Sequence, residues 1–141
     1  MPTIERFEDI EAWQKAREIT KRIYELSGSG DFARDFGLKD QIRRSSVSVM
    51  GNIAEGFERD GTREFIQFLS IAKGSAGETR SQLIRALDRN HIDKATFDDL
   101  TNETIQIGKR LSNLMSYLKK SGFKGNKFVH EPQETYPTDT D

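Results

Sequence analysis

Chemistry in this 141-residue chain has few places to start. His91 and His130 are its only imidazoles, and it has no cysteine. Serines are plentiful, but a nucleophilic hydroxyl needs a base in hydrogen-bond reach and a third group to orient that base. His91 falls in a loop between helical stretches and His130 in the C-terminal tail, so both read as exposed side chains outside any triad. Carboxylate-bridged metal sites in helical bundles repeat Glu-x-x-His, which does not occur here, and thiolate sites are excluded. A glycine-rich phosphate loop needs a strand before it, and no strand-like alternation of useful length exists. The sequence therefore predicts no catalytic residue, no cofactor and no metal ligand. Asn102-Glu103-Thr104 matches a glycosylation acceptor, which has no meaning without a secretion signal.

Two constellations remain. Asn52 and Glu55 are three apart and share a helix face, with Gly56 beside them. A polar ligand site is one reading. The preferred one is structural: a hydrogen-bonded device that fixes helix register or closes a subunit contact, with Gly56 allowing close approach to Phe65. The second constellation is basic. Between Thr101 and Lys127 stand six Lys or Arg (Lys109, Arg110, Lys119, Lys120, Lys124, Lys127) against the single acid Glu103, and Arg80, Arg85 and Arg89 form a row upstream. Such residues suit phosphate contacts, which are non-specific and salt-dependent. The plainer alternative is a solvated face with charges near a helix C-terminus. In a ring of subunits a modest patch becomes a continuous surface.

The elements that must position these residues are helices. In residues 7–26, Ile10, Trp13, Ala16, Ile19, Ile23 and Leu26 recur at steps of three and four, with Glu8 or Asp9 as the expected N-cap. Ser27-Gly28-Ser29-Gly30 ends this helix, and 31–37 is a connector expected to be pinned by Phe32 and Phe36. A second helix, 38 to about 59, carries Leu38, Ile42, Val49, Ile53 and Phe57 in one stripe, and Val47, Met50 and Ala54 off it. Two apolar faces suit a helix buried both in a bundle and in an assembly. After the Asp60-Gly61 turn, Thr62 is a plausible cap for a third helix, about 63–90, with Phe65, Phe68, Leu69, Ala72, Ala76, Leu83 and Leu87. So short a turn makes helices two and three antiparallel neighbours. Counting outward from it sets Ser45 and Ser46 opposite Ser75 and Ala76, flanked by Gly74 and Gly77, so the expectation is a close backbone approach there. The same count sets Arg43 or Arg44 near Glu78 as an ion pair. Asp93 is placed to cap a fourth helix, about 94–121, striped by Phe97, Leu100, Ile107, Leu111, Leu114, Met115 and Leu118.

These elements predict an all-α, antiparallel up-down-up-down four-helix bundle in residues 1–121 and a flexible tail in 122–141. No apolar run is long enough to span a bilayer and the N-terminus does not resemble a secretion signal, so the expected compartment is the cytoplasm and no membrane partner is expected. Net charge is −1, from 22 basic and 23 acidic side chains, so any nucleic-acid role rests on local distribution.

A resemblance adds to this reading. Phe7, Trp13, Gly37-Leu38, Gln41-Ile42-Arg43-Arg44, Asn52-Ile53-Ala54-Glu55-Gly56-Phe57, Glu64-Phe65, Phe68-Leu69 and the Ala72-x-Gly74-Ser75 run resemble the four-helix-bundle proteins of 23S rRNA intervening sequences. That family commonly has a proline before the Asn-Ile-Ala-Glu-Gly run; Met50-Gly51 stands there here, which removes a proline kink and leaves Gly51 as a possible bend. The resemblance implies a left-handed antiparallel bundle, a homo-oligomer, typically a pentamer, and no enzymatic activity. The family is similar to the accessory proteins of diversity-generating retroelements, which form basic rings that bind nucleic acid and a reverse transcriptase.

The expectation is a non-enzymatic oligomer that binds RNA or DNA through Arg80, Arg85, Arg89, Lys109, Arg110, Lys119, Lys120 and Lys124. Asn52, Glu55, Gly56, Ser45, Ser46, Gly74 and Gly77 are expected as structural or subunit contacts. A protein-interaction module without nucleic acid is the alternative.

Overall fold

The computed structural model describes residues 3–121 and 129–130. Five helices follow in order: α1 Glu11–Ser27, the short α2 Gly30–Arg34, α3 Phe36–Glu58, α4 Thr62–Asp88 and α5 Lys94–Ser121. The four long ones form an all-α bundle in which each packs on two others, in the cyclic order α1, α3, α4, α5. Register gives the direction. From Gln41 through Ser45 and Ser48 on α3, the partners on α4 descend from Arg85 through Thr79 to Ser75. From Glu11 through Lys15 to Arg22 on α1, the ion-pair partners on α5 descend from Arg110 through Glu103 to Asp99. Both pairs are therefore antiparallel.

Burial follows the apolar stripes. Leu38, Ile42, Val49, Ile53 and Phe57 of α3 are buried, as are Phe65, Leu69, Ala72, Ala76 and Leu83 of α4 and Leu100, Ile107, Leu111, Leu114 and Leu118 of α5. At mid-bundle each helix offers a small side chain to the axis: Ala16, Ser46, Ala76 and Thr104 gather around Ile19, Val49, Thr79 and Ile107. Val47 is 42% exposed, and Met50 and Ala54 are half-buried. Of the second apolar face of α3, Val47 alone points outward, and Met50 packs against the core.

The α3–α4 seam is the closest contact. A Cβ built on Gly56 would lie 2.5 Å from the Cβ of Phe68 and 3.2 Å from Cδ1 of Phe65. Midway, the Thr79 hydroxyl donates to Ser45 Oγ at 2.8 Å, Ser45 donates to Gln82 Oε1 at 2.7 Å, and the Ser48 and Ser75 hydroxyls lie 2.8 Å apart. Buried hydroxyls are tolerated because each finds a partner across the seam or on its own helix.

The ends differ from the sequence expectation. Helix α1 starts at Glu11, because Phe7–Asp9 forms a separate 3-10 turn in which the Asp9 carboxylate accepts the Glu5 and Arg6 N–H groups. Ile10, not Glu8 or Asp9, is its N-cap. The connector is itself helical, with Gly30 at φ 63°, and only Phe32 pins it; Phe36 is 72% exposed. Gly61 caps α4, one residue before Thr62. Asp93 does cap α5, its Oδ1 accepting the Thr96 N–H at 2.8 Å. Of the residues expected as a tail, Val129–His130 pairs antiparallel with Thr3–Ile4 as a two-residue bridge; the others lie outside the described residues.

His91 is not the exposed bystander that its loop position suggests. Its side chain is 6% exposed, stacks on Phe32 at 4.9 Å and 14°, and donates from Nε2 to Asp35 Oδ2 at 2.9 Å. Arg89 Nε reaches the same oxygen at 2.6 Å. Asp35 thus ties the α4–α5 turn to the start of α3. The hydrogen bond from His91, with the charge of Arg89, outweighs desolvation and holds the Asp35 carboxyl below its usual 3.8. A lowered folded-state value means stability that is fully present above pH 3.8 and lost as pH falls through the folded value. Asp35→Asn should lower the urea midpoint at pH 7 and flatten the acid limb, measured from pH 7 to about 2.5. An acid limb as steep as in the unsubstituted protein would show that the clamp is not formed.

Candidate nucleic-acid interface

Helix geometry divides the arginines of α4. Arg85 turns toward α3, where Nη1 donates to Gln41 Oε1 at 2.6 Å, and Arg89 is held by Asp35. Arg80 lies on the other flank, facing α5. Arg110 of α5 points back to α1, pairs with Glu11 and is only 13% exposed. Lys119 and Lys120 are exposed in the last turn of α5, and Lys124 lies outside the described residues. The expected basic residues therefore do not form one surface. The row of three read from α4 spans two sides of the helix, because steps of five and four do not keep one face.

What the fold brings together is smaller and sharper. Lys73 and Arg80 of α4 and Lys109 of α5 line a groove of about 470 Å³ between the two helices. Its wall includes Thr104, Ser112 and Asn113, and no carboxylate of the described residues lines it. Lys73 and Lys109 are exposed, as is Arg80, and none of the three has an ion-pair partner among the described residues. Arg22, Arg44, Arg59 and Arg89, by contrast, are all neutralised by a carboxylate. Sequence reasoning missed Lys73, which sits outside the basic C-terminal window. Its signal was the seven-residue step to Arg80, two helical turns along one face.

Small residues line the groove. Gly77 of α4 and Gly108 of α5 line it with Ala76, and a Cβ on either glycine would meet nothing within 4 Å. Gly77 therefore does not mediate the close approach to α3 expected of it, and neither does Gly74, which is also exposed with open space above it. Ser75 and Thr79 make the α3 contact instead. Ser45 and Ser46 are buried, as their structural assignment requires. The Asn52, Glu55 and Gly56 group separates. Asn52 Nδ2 donates to Ser48 O at 2.8 Å and Ser48 Oγ at 3.0 Å, so it extends the seam. Glu55 is exposed and pairs with Arg59 at 2.9 Å, one turn along its own helix. Gly56 alone of the three is buried. The pairing of Arg43 or Arg44 with Glu78 does not form: Arg43 donates to Ser27 Oγ at 2.8 Å and stacks on Tyr24, and Arg44 pairs with Asp40 at 3.1 Å.

A second recess of about 450 Å³, at the α1–α2 end, is lined by Arg22, Glu25, Asp31, Asn90 and His91. Its charges are of both signs and Arg22 is already held by Asp99 at 2.6 Å, so it offers no comparable field to a polyanion. No helix of the described residues is long and apolar enough to cross a membrane, and no group of three metal-ligating side chains occurs among them.

The class is an all-α bundle with a cationic groove between α4 and α5. The chain belongs to the 23S rRNA-intervening sequence protein family, whose pattern matches residues 8–113. It is similar to a solved structure from Bacteroides thetaiotaomicron, a protein of unknown function from the S23 ribosomal protein family. The two share 26% identity with a TM-score of 0.67, over 74% of this chain and 97% of that one. No curated protein matches the chain.

Glycine in a helix interior is about 1 kcal/mol less favourable than alanine, and open space removes any steric objection to a methyl group. Gly77→Ala and Gly108→Ala should each raise stability by about 0.5–1 kcal/mol in urea or thermal melts. Lower stability in either variant would show that the glycine is needed for packing.

Proposed function

We propose that this protein is a non-enzymatic homo-oligomer that binds RNA or DNA through the cationic groove of α4 and α5. The observation that carries the reading is the unneutralised set Lys73, Arg80 and Lys109 around a groove without a carboxylate. With a net charge of −1, any attraction for polyanions rests on such local sets of cations and not on the chain as a whole. Assembly is supported by the exposed apolar side chains Val47 of α3 and Ile71 and Ile84 of α4. A closed ring, a pentamer on the family resemblance, repeats the groove once per subunit and adds the separate contacts through avidity. Lys119 and Lys120 extend the basic surface at the end of α5.

The test is binding of labelled RNA and DNA to the assembled protein over a salt series. Affinity should fall steeply with salt. Lys73→Gln/Arg80→Gln/Lys109→Gln should weaken binding at low salt and reduce the log–log salt slope by about 2–3, near 0.9 for each phosphate that is no longer neutralised. Absence of binding at low salt would end the proposal.

Val47, Ile71 and Ile84, all more than two-fifths exposed, favour a second reading as a protein-interaction module. A captured protein partner insensitive to nuclease and salt, together with no shift of nucleic acid, would select it.

A further inference from the structure

We infer that the α4–α5 groove seats the phosphodiester backbone of a nucleic-acid strand directly against the helix backbones at Gly77 and Gly108, and so reads charge and not base sequence. This rests on the nucleic-acid reading above and specifies how the groove is used.

Three observations lead to it. The first is the pair of glycines. Each sits in the interior of a long helix with nothing within 4 Å of the missing Cβ, so neither is required by contacts within the chain. Both line one groove, where a side chain on either would fill the space between the helices. Gly37, Gly51 and Gly74 are equally open but line no part of the groove; at Gly77 and Gly108 the missing side chain leaves helix backbone accessible to a ligand between the cations. The second is charge. Lys73, Arg80 and Lys109 border that floor with no carboxylate among the lining residues, and Ser112 and Asn113 add donors suited to phosphate oxygens. Lys73 and Arg80 are seven residues apart, which is about 10 Å along α4. That is on the order of three phosphates of a strand at ~3.4 Å of rise each. The third is the absence of aromatic side chains from the lining, so the groove has no platform on which bases stack.

A helix from a second copy is the competing occupant. It would have to bring its own carboxylates to Lys73, Arg80 and Lys109, because none stands among the lining residues, whereas a phosphodiester backbone carries a negative charge at every step.

The experiment adds bulk and keeps charge. Gly77→Leu/Gly108→Leu fills the groove; Gly74→Leu, on the same helix but outside it, is the control. Fluorescence anisotropy at low salt follows oligo(dT), a mixed-sequence single strand of equal length, and a duplex of that sequence. Circular dichroism melts run alongside confirm that each variant folds. The filled variant should lose about tenfold or more in affinity, the control should stay within about twofold of the unsubstituted protein, and the two single strands should bind alike. Weaker binding of the single strands alone, of the duplex alone or of both supports the inference and tells which form supplies the backbone. If the leucine pair does not fold, Gly77→Ala/Gly108→Ala replaces it, with a smaller loss of about threefold expected because less of the floor is filled. If the unsubstituted protein binds but the folded filled variant binds equally well, this inference fails and the nucleic-acid reading stands. Affinities that differ by more than about tenfold between the two single strands overturn readout by charge. If the unsubstituted protein binds neither strand nor duplex, both fall.

Discussion

The contact on which the bundle depends is the approach of α3 to α4 at Gly56. There is no room for even one carbon beyond the backbone: a Cβ would stand 2.5 Å from the Cβ of Phe68. Because that atom is tied to the α4 backbone, no rotamer change relieves the contact, and the helices would have to part. The two aromatic rings beside it, Phe57 and Phe65, meet edge to face at 5.8 Å and 78°, an arrangement favoured by their quadrupoles. Asp60-Gly61 reverses the chain within a few residues, so turn and contact together set the register of everything upstream on α3 and downstream on α4.

That register explains the polar ladder. Ser45, Ser48, Ser75, Thr79 and Gln82 meet across the seam, Ser45 with Thr79 and Gln82 and Ser48 with Ser75. A slip along the seam would leave several buried hydroxyls unpaired, each at about 1–3 kcal/mol. The ladder contributes little to attraction and much to uniqueness. With α3 and α4 fixed, α1 and α5 close the ring, and the α4 flank turned away from α3 is left to form the groove with α5. The seam and the groove are opposite consequences of small residues. Where Gly56 meets Phe68 the space is filled by the chain itself; at Gly77 and Gly108 the chain leaves it open.

Much of this was legible in the residues. Periodicity gave four long helices and their buried stripes, since steps of three and four mark a helix face whatever the tertiary context. The close approach of Gly56 to Phe65 was read correctly, while the count from the short turn missed the partner of Ser45 by about one helical turn: Ser45 meets Thr79 and Gln82, and Ser75 meets Ser48. The turn count failed for Gly74 and Gly77 because a neighbouring residue on a helix is rotated by about 100°, so level with α3 is not the same as facing it. The same rotation split Arg80 from Arg85 and Arg89. Capping was read poorly at α1, where Asp9 serves a separate turn, and His91 was misread because its partners Phe32 and Asp35 lie more than fifty residues away in sequence. A groove between two helices is a tertiary object, and only the seven-residue step from Lys73 to Arg80 announced it beforehand.

The most direct test is the stability of Gly56→Ala beside Gly74→Ala, both measured by urea unfolding. Both exchange an α-helical glycine for alanine, Gly56 in the last turn of α3 and Gly74 midway along α4, so propensity favours alanine at both and an opposite sign at Gly56 reports its surroundings. Gly56→Ala should be destabilised by about 1–3 kcal/mol through overpacking, whereas Gly74→Ala should gain about 0.5–1 kcal/mol. A Gly56→Ala protein as stable as the unsubstituted one would contradict the claim that this contact fixes the bundle.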